Sequence, residues 1–417
     1  MCQRESDAGF GPEGPAIVTS VAAACRAASR HMRPTLLDLG LFASPPAATL
    51  PRVLVLGDAD FAYARALQSS CASSGLKLSL FASAFEPEAE LASRYPEAVD
   101  TMGALTRAGA AVRCGIDART IAAHYGEGES FDRIVFNLPQ SPPAPKARNQ
   151  IQRHRALLRD FCGSAAAALA PRGQLWITLL AGQGGTPLDP IQRAPGDTWM
   201  VQHEAARSGL LVTDVHAADM DTLERGGYTP TGRGRTQPGP LGARRKDKGL
   251  VVHVLASERP SVGDDEAAQP RSVAPMEHTL DNSFWLDAAD ASAPDPAAAD
   301  ILTAARTALG PEAAHVISEE PTLVDSYARP EDGRRARTYR FVYRSSVLAL
   351  GKDRALALNG KMCAALAAEF GGEYRNKQLQ EQQQQQSGGA SEEPEDEGLP
   401  DGGSASTEHP DKRARVD

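Results

Sequence analysis

The chain has 417 residues, a net charge of −9 and six cysteines, and its length predicts about two or three domains. No run of about 18 apolar residues occurs, so no membrane span is expected. The cysteines lie far apart and form no C-x-x-C pair. This excludes a disulfide framework and a cysteine-based metal site, and it predicts a reducing compartment.

Residues 1–50 are predicted to form an N-terminal extension that is disordered or loosely packed. Residues 16–33 are rich in alanine, serine and arginine and lack acids, which is also typical of an organelle transit peptide. Glu5, Asp7 and Glu13 precede this stretch and favour a plain extension over an import signal.

Residues 51–259 are predicted to form an α/β domain. Apolar strand candidates alternate with helical stretches such as residues 151–169, which indicates a mainly parallel sheet covered on both faces. A long loop rich in glycine, proline and arginine joins the last two candidates, so the final strand is expected to return as a hairpin. The seven strand candidates are residues 53–56, 76–82, 111–114, 134–137, 175–180, 211–215 and 251–255.

A polar linker is predicted at residues 260–275, and residues 276–375 read as a second domain in the ferredoxin-like order β-α-β-β-α-β. In its third strand the aromatic residues 339, 341 and 343 alternate with Thr338, Arg340, Val342 and Arg344. The aromatic face is either a base-stacking platform or a core beneath the helices. Core is favoured because a helical stripe needs a partner surface; the stripe comprises Leu356, Cys363, Leu366 and Phe370.

Residues 376–417 contain ten acidic and four basic residues, so they account for −6 of the net charge, and they are predicted to be disordered. The rest of the chain is close to neutral, which is compatible with a nucleic-acid partner. Lys412, Arg413 and Arg415 form a short basic cluster typical of a weak nuclear signal. The expected location is the cytoplasm, nucleus or nucleolus, with organelle import as an alternative.

Two predicted strands end in groups suited to ligand binding. The apolar run from Phe131 ends on Asn137 and Pro139, and the strand after Arg52 runs into the glycine turn and acidic loop of residues 57–60. Ligands of open α/β sheets bind at the carboxyl ends of the strands. The two motifs therefore predict one nucleotide-type cofactor site.

The acidic loop favours S-adenosylmethionine over a dinucleotide. Gly57, Asp58 and Asp60 lack the G-x-G-x-x-G spacing that holds a pyrophosphate, whereas carboxylates suit an ammonium, a sulfonium and a ribose. Glu86 is a candidate acceptor for the ribose hydroxyls, and Asp117 for the adenine amino group. Each acid alone could equally be a helix N-cap or a solvated loop residue.

These motifs, in this order, resemble a known enzyme family. LGDADFAYA, GIDAR, FDRIVFNLPQ, the HRALLRDF helix and ERGGYTPTGRGR are similar to eukaryotic ribosomal RNA uridine-N3 methyltransferases, over about residues 51–259. SFWLD, LVDSYARP, RTYRFVYRS and GGEYR resemble the ferredoxin-fold anticodon-binding domain of the phenylalanyl-tRNA synthetase β chain. Both together resemble the ferredoxin-fold anticodon-binding domain-containing protein 1 family.

The resemblance implies a class I Rossmann-like fold, S-adenosylmethionine as cofactor and RNA as substrate, without a metal. It adds Phe61 to the cofactor-binding residues and implies reacting-base contacts at Asn137, Pro139 and Gln140. The family more often has histidine where this chain has Gln140, which removes one possible proton acceptor. Asp58, Asp60 or water remain as acceptors, and Asn137 could instead be an ordinary strand-end turn residue.

RNA contacts are expected from cations near the cofactor site. Residues 224–248 contain seven basic and two acidic side chains. Tyr228 is a candidate for base stacking, whereas Trp176 and Trp199 are expected to pack internally. The candidate phosphate ligands are Arg233, Arg235, Arg244, Arg245 and Lys246 in this loop, and Arg340 and Arg344 in the second domain.

The main hypothesis is a ribosomal RNA methyltransferase whose second domain docks RNA. A noncatalytic RNA-binding protein that keeps the fold is the first alternative. A transfer RNA methyltransferase is the second, because the C-terminal domain resembles an anticodon-binding module.

Overall fold

A computed structural model describes residues 34–41, 49–141, 149–232, 239–240, 249–258, 269–286, 295–311, 313–370 and 373–375. The N-terminal domain contains a seven-stranded sheet and the C-terminal domain a four-stranded one. No helix within these ranges is long and apolar enough to span a bilayer.

The strands of the N-terminal domain confirm the predicted α/β fold. The sheet order is β3-β2-β1-β4-β5-β9-β6, in which β9 runs antiparallel to both neighbours and the other pairs are parallel. The strands are β1 (Arg52–Leu56), β2 (Ser79–Ser83), β3 (Ala111–Arg113), β4 (Phe131–Asn137), β5 (Leu169–Leu180), β6 (Leu210–Ala217), the short pair β7 (Thr231–Gly232) and β8 (Gly239–Pro240), and β9 (Leu250–Ser257).

The final strand returns as predicted, because β9 pairs along β6 and inserts between it and β5. Apolar side chains on both faces of β1, β4 and β5 explain why these strands are central: each face is covered by its own core. The helices are α1 (Ala62–Ser73), α2 (Glu88–Arg94), α3 (Pro96–Arg107), α4 (Ile121–Tyr125), α5 (Gln150–Ala168), α6 (Val201–Ala206) and α7 (Met220–Arg225).

Part of the predicted N-terminal extension packs on this domain. Leu36 and Leu39 are buried in the core against α1. The Tyr63 hydroxyl donates to the Leu36 carbonyl at 2.6 Å, and Arg133 Nε donates to the Leu39 carbonyl at 2.8 Å. The packed part of the chain thus includes residues 34–41, which lie before the predicted boundary. Their four leucines give this segment enough apolar surface to pack.

The C-terminal domain has the predicted ferredoxin-like fold. Its antiparallel sheet has the order β11-β12-β10-β13, which corresponds to domain strands two, three, one and four. Tyr339, Phe341 and Tyr343 are buried under the helices, so they form core. Leu356 was wrongly assigned to the buried stripe, because it is 36% exposed. The elements are β10 (Glu277–Trp285), α8 (Ala298–Leu309), β11 (Thr322–Ala328), β12 (Arg335–Arg344), α9 (Lys352–Glu369) and β13 (Glu373–Arg375).

Direct contacts join the two domains. Arg354 Nη1 approaches Glu258 Oε1 at 2.6 Å, and Arg207 Nη1 approaches Asp353 Oδ2 at 2.7 Å. The Val273 amide, near the end of the predicted linker, donates to a carbonyl of β6 at 3.0 Å. The linker therefore ends in a segment hydrogen-bonded to the first sheet.

Candidate functional site

The turn after β1 requires a glycine. Gly57 has φ of 66°, and a Cβ at this position would lie 2.8 Å from the ring of Phe136 on β4. A side chain here would meet both a disfavoured backbone conformation and a clash. This close approach brings the loop of residues 58–61 against the end of β4.

Hydrogen bonds link the loops at neighbouring strand ends into one row. The Asp58 amide donates to the Ser83 carbonyl at the end of β2, at 2.9 Å. The Ala84 amide donates to the Arg113 carbonyl of β3 at 3.0 Å, and the Gly115 amide donates to the Glu86 carbonyl at 3.0 Å. The predicted ligand groups at Asp117, Glu86, Asp58 and Asn137 therefore follow the spatial order of β3, β2, β1 and β4.

Two carboxylates in the β1 loop repel each other in a poorly solvated place. Burial and, after it, the charge of Asp60 raise the pKa of Asp58 to about 7, against hydrogen bonds from the Ala64 and Tyr63 amides that lower it. Asp60 is buried, and its Oδ1 accepts from the Ala62 amide at 3.0 Å. No cationic side chain among the described residues contributes to the Asp58 shift, so a cationic ligand would relieve this repulsion.

Asn137 lies at the end of β4 with half of its amide satisfied. Its Oδ1 accepts a hydrogen bond of 2.6 Å from Thr178 Oγ1 on the adjacent strand β5. Its Nδ2 is buried without a hydrogen-bond partner. Burial raises the pKa of Tyr63, and its phenol is close enough for hydrogen bonding with this amide to lower that pKa in part, but the contact does not reach the geometry of a full hydrogen bond. An unpaired buried donor is costly, so this atom is a natural point for ligand contact.

The turn after Asn137 is strained at Leu138. This residue has φ of 49°, a left-handed conformation, and its amide donates to the Thr178 carbonyl at 2.8 Å. The next residue, Pro139, is buried, and Gln140 is exposed. Thr178 thus holds both the side chain and the following backbone of the predicted base-contacting segment.

Tyr228 does not match its predicted role as an exposed stacking residue. It is 7% exposed and packs edge-on against Tyr63, with ring centroids 5.3 Å apart. Burial raises its pKa well above the usual value, and the charges of Asp58 and Asp60 raise it further. Tyr228 therefore packs close to the acidic loop, because its ring fills the apolar space beside α1.

Three other predicted cofactor residues occupy different environments. Glu86 is buried at the end of β2, and Phe61 is fully buried with φ of 56°, so its ring belongs to the core. Asp117 has an Arg119 partner at 2.6 Å, and hydrogen bonds from that guanidinium hold the pKa of its carboxyl below the usual value. A ligand amino group at Asp117 would compete with Arg119.

Only some of the residues predicted to contact RNA lie in the described part of the chain. Arg233, Arg235, Arg244, Arg245 and Lys246 lie outside the described residues. Arg340 and Arg344 are exposed on the sheet face away from the helices. Arg340 makes two hydrogen bonds of 2.8 Å to Asp281, so its charge is already paired. Trp176 and Trp199 are buried, which confirms their packing role.

Two site residues were missed by the sequence analysis, Tyr63 and Thr178. Both lie within ordinary helix and strand patterns, and only the pairing of β4 with β5 reveals that Thr178 reaches Asn137. The described ranges contain no group of three or more histidine, cysteine or acidic residues that could hold a metal ion.

The residues present fit S-adenosylmethionine. Asp58 and Asp60 are carboxylates suited to an ammonium or a sulfonium, and Glu86 is a neighbouring carboxylate suited to hydroxyl groups. The donor set is acidic rather than a backbone cradle for phosphates. These side chains would hold a ligand that carries an ammonium, a sulfonium and a ribose.

Comparisons with known proteins agree with this assignment. Residues 54–230 match the family model described as BMT5-like rRNA (uridine-N3-)-methyltransferase. A mouse protein, ferredoxin-fold anticodon-binding domain-containing protein 1 homolog, is 31% identical over 222 residues, which cover 53% of this chain and 33% of the mouse protein. Its human counterpart is 31% identical over 226 residues, which cover 53% of this chain and 32% of the human protein.

The matched part of the chain thus spans about a third of the length of these curated relatives. Among solved structures, TrmN from Thermus thermophilus is 16% identical and covers 51% of this chain and 46% of its own, with a TM-score of 0.30. A score this low carries no argument, and the fold rests on the strand order described above. The family match and the relatives confirm the resemblance to S-adenosylmethionine-dependent methyltransferases and to the anticodon-binding-domain protein family.

Proposed function

We propose that the protein is an S-adenosylmethionine-dependent RNA methyltransferase that methylates N3 of a uridine in ribosomal RNA. The single observation that carries this proposal is the row of strand ends in which Asp58, with its raised pKa, lies one strand from the half-satisfied amide of Asn137. The family description of residues 54–230 supports the choice of uridine N3 and ribosomal RNA.

The proposed reaction is a displacement in which the S–CH₃ bond breaks as an N3–CH₃ bond forms. The cofactor supplies the electrophilic methyl group, and the protein supplies position and a proton acceptor. Asn137 would hold the base edge, and the rigid turn at Pro139 would fix the adjacent backbone carbonyl. Asp58 is a candidate acceptor for the N3 proton, since it is a carboxylate at the strand end next to that of Asn137.

RNA contact would involve both domains. Arg344 presents a cation on the open face of the second sheet, and the N-terminal domain contributes the basic loop predicted from sequence. A single-stranded or loop uridine is the expected target, because a paired base would first have to be flipped out. The cytoplasm, nucleus or nucleolus is the proposed location.

Transfer RNA is the second candidate substrate. The ferredoxin-like sheet order, together with the resemblance of this domain to an anticodon-binding module, favours it. Crosslinking of the full chain to cellular RNA, followed by sequencing of the bound RNA, separates the two candidates. Enrichment of ribosomal RNA supports the first, and enrichment of transfer RNA the second.

Catalysis is tested by transfer of a radiolabelled methyl group to total cellular RNA, with the products identified as nucleosides by mass spectrometry. Asp58→Ala and Asn137→Ala should each abolish formation of N3-methyluridine, whereas the exposed control Asp221→Ala should not. Titration with S-adenosylhomocysteine should give micromolar binding, or about 8 kcal/mol. Binding of RNA without any methyl transfer by the unaltered protein would favour a noncatalytic role.

A further inference from the structure

We propose that the loop between β5 and α6 carries an apolar RNA-contacting knob, in which Leu188 and Ile191 pack against a nucleobase beside the reacting uridine. This inference deepens the proposed function and rests on it, since it names how the same site meets RNA. Leu188 is 47% exposed and Ile191 38% exposed, and Pro187 and Pro190 beside them are exposed as well. Single surface leucines need no explanation, but four apolar side chains within five residues form a patch, called here the apolar knob.

Buried polar contacts hold the apolar knob rigid. Asp189, in the middle of the knob, is buried, and its Oδ1 lies 2.9 Å from Nε2 of His253 on β9. Its Oδ2 accepts from the Thr186 amide at 2.8 Å, and the Gln192 side chain donates to the Asp189 carbonyl at 2.7 Å. A loop fixed in this way loses little conformational entropy when a partner binds, so the apolar surface is preorganised for contact.

The apolar knob lies beside the turn that follows β4. Thr178, near the end of β5, pairs with Asn137, so β5 runs into the loop of the knob at the base-contacting turn. At the far end of this loop the Trp199 ring stacks on His154 of α5, with centroids 4.1 Å apart. His154 Nδ1 accepts from the Ser141 amide, in the segment after β4, at 3.3 Å. The loop and the segment after β4 are thus held together through α5.

The charge around the apolar knob favours RNA as its partner. Arg193 is exposed just after the knob, and the guanidinium of Arg155 lies under the same loop, where its Nε donates to a backbone carbonyl at 2.9 Å. Neither arginine forms a salt bridge within the described ranges. Asp197 is the one exposed acid among residues 181–200, all of which are described. Two unpaired cations next to an apolar surface suit a nucleobase and its phosphate.

An aliphatic knob can take the place of a displaced base. A uridine that moves into the site leaves a gap in the stack of its neighbours, and this unstacking costs free energy. Leucine and isoleucine side chains fill such a gap by burial and dispersion, without reading hydrogen-bonding groups. The knob therefore stabilises the unstacked RNA whatever the neighbouring base. The predicted substrate is a uridine that is stacked in a loop or junction before it enters the site.

Photocrosslinking identifies what the apolar knob contacts. Leu188 of the full chain is replaced by the photoreactive residue p-benzoylphenylalanine, and the protein is irradiated in a cell lysate. Adducts to RNA are expected. The same replacement at Leu50 is the matched control, because Leu50 is 52% exposed but lies just before β1, at the opposite edge of the sheet, and should give few RNA adducts. Adducts only to protein, adducts to a second copy of the chain, or equal RNA adducts at both positions would overturn the proposal.

A second measurement separates base contact from phosphate contact. Leu188→Ala combined with Ile191→Ala should weaken the binding of a labelled uridine-rich hairpin RNA about tenfold in fluorescence anisotropy. The dependence of the affinity on salt should not change, because no phosphate contact is removed. Leu50→Ala combined with Val99→Ala, two side chains that are also about half exposed, should bind the hairpin normally. Unchanged affinity in the first variant, or an altered salt dependence, would overturn the proposal.

Failure of the apolar knob and failure of the proposed function give different results. Unchanged binding of S-adenosylhomocysteine shows that the double alanine variant is folded. RNA adducts and weakened hairpin binding, without methyl transfer by the unaltered protein, would uphold the knob and defeat the proposed catalysis. Methyl transfer to uridine at the unaltered rate by the double alanine variant would do the reverse. Absence of RNA binding by the unaltered protein would overturn both.

Discussion

Two buried polar clusters, one in each domain, differ in how completely their hydrogen bonds are made. In the C-terminal domain, Asn282 and Asn359 exchange hydrogen bonds of 2.8 and 2.9 Å through their amides. The hydroxyls of Tyr374 and Tyr343 donate to the two amide oxygens at 2.8 and 2.7 Å. At the strand ends of the N-terminal domain, Nδ2 of Asn137 has no hydrogen-bond partner.

The difference separates a structural cluster from a functional one. A complete polar network positions β10 against α9 and leaves nothing for a ligand. An incomplete one, beside the acidic loop in which burial raises the pKa of Asp58 to about 7, retains unfavourable interactions that a ligand can relieve. Removal of groups should therefore cost stability in the first cluster and binding in the second.

The largest effect is expected for Asn359→Ala. It leaves Asn282, Tyr343 and Tyr374 with unmade hydrogen bonds in the core, so the free energy of unfolding should fall by about 3 kcal/mol. Chemical denaturation measures this change. Asn137→Ala should cost less, about 1 kcal/mol, because only the Thr178 hydroxyl loses its partner and an already unpaired Nδ2 is removed.

The double variant Asn282→Leu with Asn359→Leu is the matched control. Replacement of both amides removes their own unmet hydrogen bonds, so the pair should cost less than the sum of the two single leucine variants. Equal destabilisation by Asn137→Ala and Asn359→Ala would contradict the distinction between the clusters.

Gly57→Ala should come next, because it tests the turn that holds the acidic loop against β4. A Cβ would lie 2.8 Å from Phe136 in a left-handed conformation, so a loss of about 2 kcal/mol in unfolding free energy and weaker S-adenosylhomocysteine binding are expected. Gly75→Ala shares the positive φ but meets no atom within 4 Å. This control should lose about 1 kcal/mol and bind the cofactor analogue normally.

The pH dependence of stability tests the Asp58 environment. Its folded-state pKa of about 7 lies above the usual 3.8, so the folded chain binds this proton more tightly. The contribution is fully present below pH 3.8 and is lost as the pH rises through about 7. Asp58→Asn should therefore be more stable than the unaltered protein at pH 8, by about 1 kcal/mol after solvent screening.

Denaturation curves between pH 5 and 8, about the range over which Asp58 loses its proton, measure this difference. It should shrink towards pH 5, where the buried carboxyl is protonated. A difference that does not vary with pH would mean that Asp58 does not titrate in this range.

The smallest effect concerns the surface arginines, where the same contrast between paired and unpaired groups holds. Asp281 already neutralises Arg340, whereas no salt bridge to Arg344 occurs among the described residues. Arg344→Ala should weaken RNA binding several-fold and reduce its salt dependence, and Arg340→Ala should do less. Fluorescence anisotropy with a labelled single-stranded RNA at several salt concentrations measures both. A larger loss from Arg340→Ala would reverse the assignment.

Most of the architecture was predictable because burial repeats with the period of each element. Alternation in residues 339–343 predicted a strand with one buried face, and the apolar runs ending at Leu56 and Asn137 predicted buried parallel strands. The base-stacking role predicted for Tyr228 was wrong, because its ring packs against Tyr63. The composition of its loop does not reveal the apolar space that the ring fills. The packing of residues 34–41 was missed for a similar reason: four leucines in so short a segment show no clear period.

The sequence by itself determined which groups stand at the strand ends and the chemistry they favour, because local composition and strand periodicity specify both. Only the tertiary structure decided which of them meet. The pairing of β4 with β5 brings Thr178 to Asn137, and the turn at Gly57 gives Asp58 its neighbours and its raised pKa. Asn137 and Thr178 are 41 positions apart in the sequence, and the energies of both sets of contacts depend on distance and desolvation in the folded chain.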